Sequence, residues 1–178
     1  MLIDAVTPLL LAHGRAVTTK QIAECAGIAE GTIFRAFGSK DELISAAVAK
    51  QLDPEPFRRR LRDVEPALPL EDKVRAIVAL MRGRFTKVFA LMSALGTIGP
   101  PPGHEARHEY NEYTGILGGT LAPDLERLNV EPARAAQIIR MVSLAASVPH
   151  IRNGPAFDDD EITALILYGI IGAQTPTI

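Results

Sequence analysis

The chain is poor in several of the features by which proteins announce a function. It has one cysteine, Cys25, which excludes an internal disulfide and a cysteine-built zinc site, and which suits a reducing cytoplasm. It has no tryptophan, and aromatic residues make up only 5% of it. Charge of either sign is in no excess: the formal net charge is −2, so no overall basic field points to nucleic acid, and such binding would need a local arrangement of charge. Long apolar runs are missing too. ITALILYGIIGA, residues 162–173, is about half of the roughly 20 residues that a membrane span needs, and it reads as a buried or dimer-forming helix with no membrane role. The opening MLIDAVTPLLLAHG lacks a basic lead-in and is interrupted by Asp4, Pro8 and His13, so it is not read as a signal peptide. No segment shows convincing strand-like alternation.

What remains is helical periodicity over 178 residues, 47% of them apolar, enough to bury a real core. A first helix covers about Leu2 to His13, either kinked at Pro8 or starting there with Thr7 as its cap. Thr18-Thr19-Lys20-Gln21 is a capping box that opens a second helix ending at Gly27. A third spans about Glu30 to Phe37 and stops at Gly38; Ser39-Lys40-Asp41-Glu42 is a second capping box, opening a fourth helix to about Gln51. DPEP at 53–56 reads as a linker. It divides the chain into residues 1–52 and residues 53–178, the latter with longer helices at about Leu70 to Leu95, His104 to Gly118, Glu131 to Val148 and Asp158 to Gly172.

Two short helices joined by a glycine-containing turn and packed on a preceding helix form a helix-turn-helix. Ile22, Ala23, Ala26, Ile28, Ile33 and Phe37 are spaced to point inward, whereas Lys20, Glu30, Thr32 and Arg35 point elsewhere. TTKQIAECAGIAEGTIFRAFGSKDELISAAV, residues 18–48, resembles the DNA-binding domain of the TetR family of bacterial transcriptional regulators; Thr18, Ile22, Ala23, Ala26, Gly27, Gly31, Thr32, Phe37, Lys40 and Leu43 all fit. The resemblance covers about the first fifty residues closely and the rest in outline. It implies an all-α protein, with a helix-turn-helix domain followed by a helical ligand-binding and dimerisation domain. It also implies a homodimer that binds a palindromic operator on double-stranded DNA and releases it when a small molecule enters the C-terminal domain. On the matching positions, Thr32 and Arg35 are expected at bases or phosphates and Lys40 at a phosphate; Lys20 joins them on charge and position, and Thr18 lies at the start of the second helix.

Three departures from the family's pattern stand out. Ala29 occupies a position where the family commonly has a small hydroxyl residue, so the third helix lacks a side-chain cap, a loss of about 1 kcal/mol. Phe34 stands where tyrosine is common and lacks the hydroxyl that could reach a phosphate. Residues 1–50 carry five basic and five acidic side chains, so non-specific DNA affinity should be modest and depend on few contacts. Glu30 suits the positive end of the helix dipole more than base readout. Gly31 costs about 1 kcal/mol of helix propensity, which close approach to DNA or to the neighbouring helix would justify.

In the C-terminal half, Met81, Phe85, Phe89 and Met92, with Tyr110 and Tyr113, are candidates to line a mainly apolar effector pocket, although Met81, Phe85 and Met92 share a core stripe. Ala135, Ile138, Val142 and Ala145, with Ile162, Leu165, Ile166 and Gly169, make the last two helices apolar on several sides, as expected of a four-helix dimer interface. His104-Glu105-Ala106-Arg107-His108 matches the H-E-x-x-H zinc pattern and supplies the rival, a zinc hydrolase; it opens a helix after GPPPG with no strand to hold a peptide, and a helix start in solvent is the better reading. A third reading is a dimerising helical module that does not bind DNA. The expectation is a ligand-responsive transcriptional regulator acting as a repressor, with no catalytic residues, no resident metal and no cofactor.

Overall fold

A computed structural model describes residues 2–97, 106–152 and 154–169, the side chains of 106–111, 150 and 152 excepted. Every regular element among them is a helix. Backbone contacts divide the chain into two compact units, one from Met1–Asp53 and Lys87–His104, the other from Pro54–Thr86 and Glu105–Ile178.

In the N-terminal unit α1 (Leu2–His13) runs through Pro8 and does not start there. Thr7 is therefore not a cap: its hydroxyl lies inside the helix, donating to Ile3 O at 3.4 Å and accepting from Gln51 Nε2 at 3.1 Å. A 3-10 turn, Gly14–Ala16, leads to α2 (Thr19–Ala26). Gly14 has φ +56°, and a Cβ there would lie 2.2 Å from Ala94 O, so only glycine lets the chain turn against that carbonyl. The Thr18–Gln21 capping box forms in full, and α2 ends on Gly27 in the left-handed conformation, its amide donating to Ala23 O and Glu24 O.

After α2 come α3 (Glu30–Phe37) and α4 (Lys40–Leu52). Only half of the second expected capping box forms: Ser39 Oγ accepts from Glu42 N at 3.2 Å, but the Glu42 carboxylate turns toward Gly38, where a Cβ would sit 2.5 Å from Oε2. Helices of eight residues such as α2 and α3 do not persist alone in water, so packing holds them. Ile22, Ile33, Leu43 and Ala47 are fully buried, together with Val6, Leu10, Leu91, Met92 and Leu95. Each large aliphatic among them contributes about 1.5–3 kcal/mol.

The C-terminal unit opens with α5 (Glu55–Arg62), a helix within the region read as a linker. Its prolines are starters and not breakers: Pro54 is the N-cap and Pro56 lies in the first turn, where a missing N–H costs nothing. Phe57 and Leu61 anchor it in a core with Leu70, Val74, Ile77, Val78 and Met81 of α6 (Leu70–Ala94), Leu117 and Leu121 of α7 (Ala106–Leu121), Ala136 and Ile139 of α8 (Pro132–Ser147), and Ile162 of α10 (Asp159–Tyr168). The short α9 (Pro149–Arg152) follows α8. The apolar stripe of α6 is thus shared between two cores, its first three turns entering this one and its end the N-terminal one. A 3-10 segment, Ala122–Arg127, is pinned to α6 by a buried ion pair, Lys73 Nζ to Asp124 Oδ2 at 2.6 Å, and by Arg127 Nη2 to Glu71 Oε1 at 2.6 Å.

Candidate functional site

On α3 Ile33 is buried and Phe37 half-buried; Glu30, Gly31, Phe34 and Arg35 are exposed, and Thr32 is half-buried. Positions three and four apart share a face, so Phe37 follows Ile33 inward, while Gly31 and Arg35, two positions to either side of Ile33, turn away from it. Phe34 keeps 49% of its surface in water.

The polar groups of this face are already organised. Glu30 accepts a short hydrogen bond from Thr19 Oγ1, which ties the first turn of α3 to the first turn of α2. Its carboxylate is thus held across the helix-turn-helix. Arg35 Nη2 donates to Thr32 Oγ1 at 3.3 Å, which places the guanidinium beside the hydroxyl one turn back. Ala29 makes no side-chain cap, as its lack of a polar atom requires. At Gly31 an added Cβ would meet nothing within 4 Å among the described residues, so none of these requires the bare backbone. Thr18 and Lys20 are exposed at the start of α2, Thr18 engaged in its capping box and Lys20 with no described partner.

Lys40 differs from a merely solvated cation. Its ammonium donates to Arg15 O at 3.3 Å and to Val17 O at 3.1 Å, clamping the start of α4 onto the connection between α1 and α2. Two of its three N–H groups are engaged there, which leaves one to donate elsewhere. The same clamp brings forward a residue that sequence reasoning passed over, Arg15, which is exposed beside the Lys40 ammonium; a basic residue three positions before the Thr18 cap was the available signal. On the far side of the domain Lys50 Nζ pairs with Asp4 Oδ1 at 2.6 Å, and this hydrogen bond holds the Asp4 carboxyl below the ordinary carboxylate range.

The expected effector residues fall in different places. Met81 and Tyr113 are buried in the core of the C-terminal unit, where the Tyr113 ring meets Phe57 edge-on at 5.4 Å and the Arg58 guanidinium at 5.7 Å. Phe85 is partly buried against that core. Phe89 is half-buried, while Met92 is taken up in the N-terminal core, because the end of α6 packs there. The Tyr110 side chain lies outside the described residues, as do His104, Glu105 and the side chain of His108.

The apolar residues of α8 and α10 separate into two sets. Ala135 and Ile162 are buried in their own unit's core, and Val142 and Ile166 pack partly against it. Ile138, Ala145, Leu165 and Gly169 are exposed, and two unexpected residues join them, Met141 at 56% and Tyr168 at 45%. Ile138, Met141 and Ala145 form one stripe on α8, and Leu165 and Tyr168 lie one turn apart on α10, which packs against α8.

Comparison with known proteins bears on both units. Residues 2–47 match the family model described as bacterial regulatory proteins, tetR family. A 50-residue stretch is 46% identical to YvkB of Bacillus subtilis (strain 168), described as an uncharacterized HTH-type transcriptional regulator; the match spans 28% of this chain and 26% of that protein. The transcriptional regulator FadR from Bacillus subtilis, solved in complex with stearoyl-CoA, matches 95% of this chain and 97% of its own with a TM-score of 0.60 and 19% identity. SmeT, the repressor of the Stenotrophomonas maltophilia multidrug efflux pump SmeDEF, matches 93% of this chain and 84% of its own at a TM-score of 0.57 and 20% identity.

Proposed function

Since the chain belongs, through its N-terminal domain, to the TetR family of bacterial regulatory proteins, we propose that it is a cytoplasmic, DNA-binding transcriptional regulator that acts as a homodimer. In this reading α3 enters the major groove of a palindromic operator, with Thr32, Phe34 and Arg35 at base edges and Thr18, Lys20 and the remaining donor of Lys40 at phosphates. Glu30 acts indirectly, by bracing α3 against α2 through Thr19. The C-terminal unit, 53–178 in the sequence division, would dimerise through the exposed stripes of α8 and α10 and would hold an apolar or aromatic effector near Phe85 and Tyr113; its binding releases the operator, which makes the protein a repressor.

The observation that carries this reading is the outward face of α3. It is anchored by Ile33, bears an exposed aromatic and an arginine, and keeps at Gly31 a bare backbone that no contact among the described residues requires. A surface approached closely by an external partner gives such a glycine a use. A DNA fragment taken from beside the protein's own gene, titrated with purified protein in a mobility-shift assay, tests it: one discrete complex that survives excess unrelated duplex is expected, and smearing that any duplex competes away would refute it.

A further inference from the structure

Five polar or charged residues are buried among those described: Lys73, Thr120, Ser143, Ser147 and Thr163. Lys73 has Asp124. Three of the hydroxyls return to the carbonyl four residues back: Thr120 to Ile116 O at 3.0 Å, Ser147 to Ser143 O at 2.7 Å and Thr163 to Asp159 O at 2.6 Å. Ser143 makes no such bond; its Oγ is completely shielded and has no partner. One turn earlier on α8, Arg140 has a shielded Nε that is likewise unpartnered. Arg58 and Arg82 also carry an unpartnered Nε, but their guanidiniums are engaged, by Glu112 and by Asp159 and Phe157 O respectively. Arg140 has no ion pair among the described residues.

We propose that Arg140 and Ser143 form the polar end of an effector site that takes an apolar molecule bearing one carboxylate. Residues three apart on a helix stand about 5–6 Å apart at Cβ on the same face, so the two can converge on one group. Arg140 Nε–H and Ser143 Oγ–H are two donors for two carboxylate oxygens, and the single cation matches a single negative charge. On the same helix Ala136, Ile139 and Ala146 are buried in the apolar core, so the surroundings of the two donors are apolar. An unpaired buried hydroxyl costs free energy in the empty protein, and a ligand that pairs it recovers that cost on binding. The inference rests on the reading of the C-terminal unit as an effector domain and gives that effector its chemistry.

Calorimetric titration of the full chain with octanoate, dodecanoate and hexadecanoate against the corresponding alcohols tests it, with DNA binding followed separately. At least one acid is expected to bind about tenfold more tightly than its alcohol, and Arg140→Gln and Ser143→Ala should each remove about that factor, equivalent to ~1.4 kcal/mol. Ser143→Ala should leave the Tm of the free protein unchanged or higher, since it deletes an unpaired group, whereas a structural hydroxyl would lower it on removal. Equal affinity for acid and alcohol, variants that bind the acid as the parent does, or a clear fall in the Tm of Ser143→Ala would each overturn the proposal. Acid binding that leaves the DNA complex intact would uphold the site and refute ligand-driven release; operator binding without acid binding would uphold the regulator and refute the site.

Discussion

In the proposed DNA interface, Gly31 sets function against stability at the scale of one residue. A methyl group there meets nothing within 4 Å among the described residues, and alanine is the better helix former by about 1 kcal/mol. Gly31→Ala is therefore expected to raise the Tm while weakening DNA binding about tenfold, ~1.4 kcal/mol; a stabilised variant with unchanged affinity would show that α3 does not approach its target closely at that point. In the proposed interface Arg35 and Lys40 have separate roles. Arg35→Ala should relax preference among sequences, whereas Lys40→Ala should weaken binding to every duplex and lower the salt slope. Because Lys40 also clamps Arg15 O and Val17 O, its alanine variant should lose Tm as well, a loss Arg35→Ala should not share. The outward set on α3 was legible from spacing alone, but the partner of each polar group was not: the bonds from Lys40 to the α1–α2 connection and from Thr19 to Glu30 join residues 11 to 25 positions apart, which no local pattern encodes.

At the scale of elements, capping chemistry was the legible part. Thr18 with Gln21 marks the start of α2 in the sequence as well as in the structure, while the stop of α3 follows from Gly38. α5 was not legible, since two prolines in DPEP signal a break as readily as a first helical turn, and its only apolar anchors are Phe57 and Leu61. Nor was the sharing of α6 between two cores, because an unbroken helical period gives no sign of where its packing partners change. The buried Lys73–Asp124 pair is the element-scale weak point of the C-terminal unit. Asp124→Ala should cost about 3–5 kcal/mol by leaving a buried ammonium uncompensated, and Lys73→Met combined with Asp124→Leu should recover most of it; denaturant unfolding of the three proteins would show the order. The neighbouring Glu71 carboxyl is held below the ordinary carboxylate range by the hydrogen bond from Arg127. Its contribution is present above the unfolded-state value and is lost as pH falls through the lowered one, so Glu71→Gln should flatten the acid side of the stability profile.

For the whole molecule, the exposed apolar stripes of α8 and α10 are the surface assigned to the proposed homodimer, in which a second copy would bring the same surface to a two-fold axis. Met141→Glu with Leu165→Glu should give a monomer by sedimentation that binds a palindromic site far more weakly, each half-site then acting alone. A dimer that survives both changes would place the interface elsewhere. The two glutamates replace exposed residues, so the fold should remain. The nearly neutral first fifty residues bear on the central claim, because a domain without excess positive charge has to earn its affinity from specific contacts. The most direct test is the affinity of the purified protein for the DNA beside its own gene and for a scrambled duplex, measured by fluorescence anisotropy across a salt series. The account predicts a preference for the native sequence of about a thousandfold or more, with a shallow salt slope; equal affinity for both duplexes at low salt would contradict it.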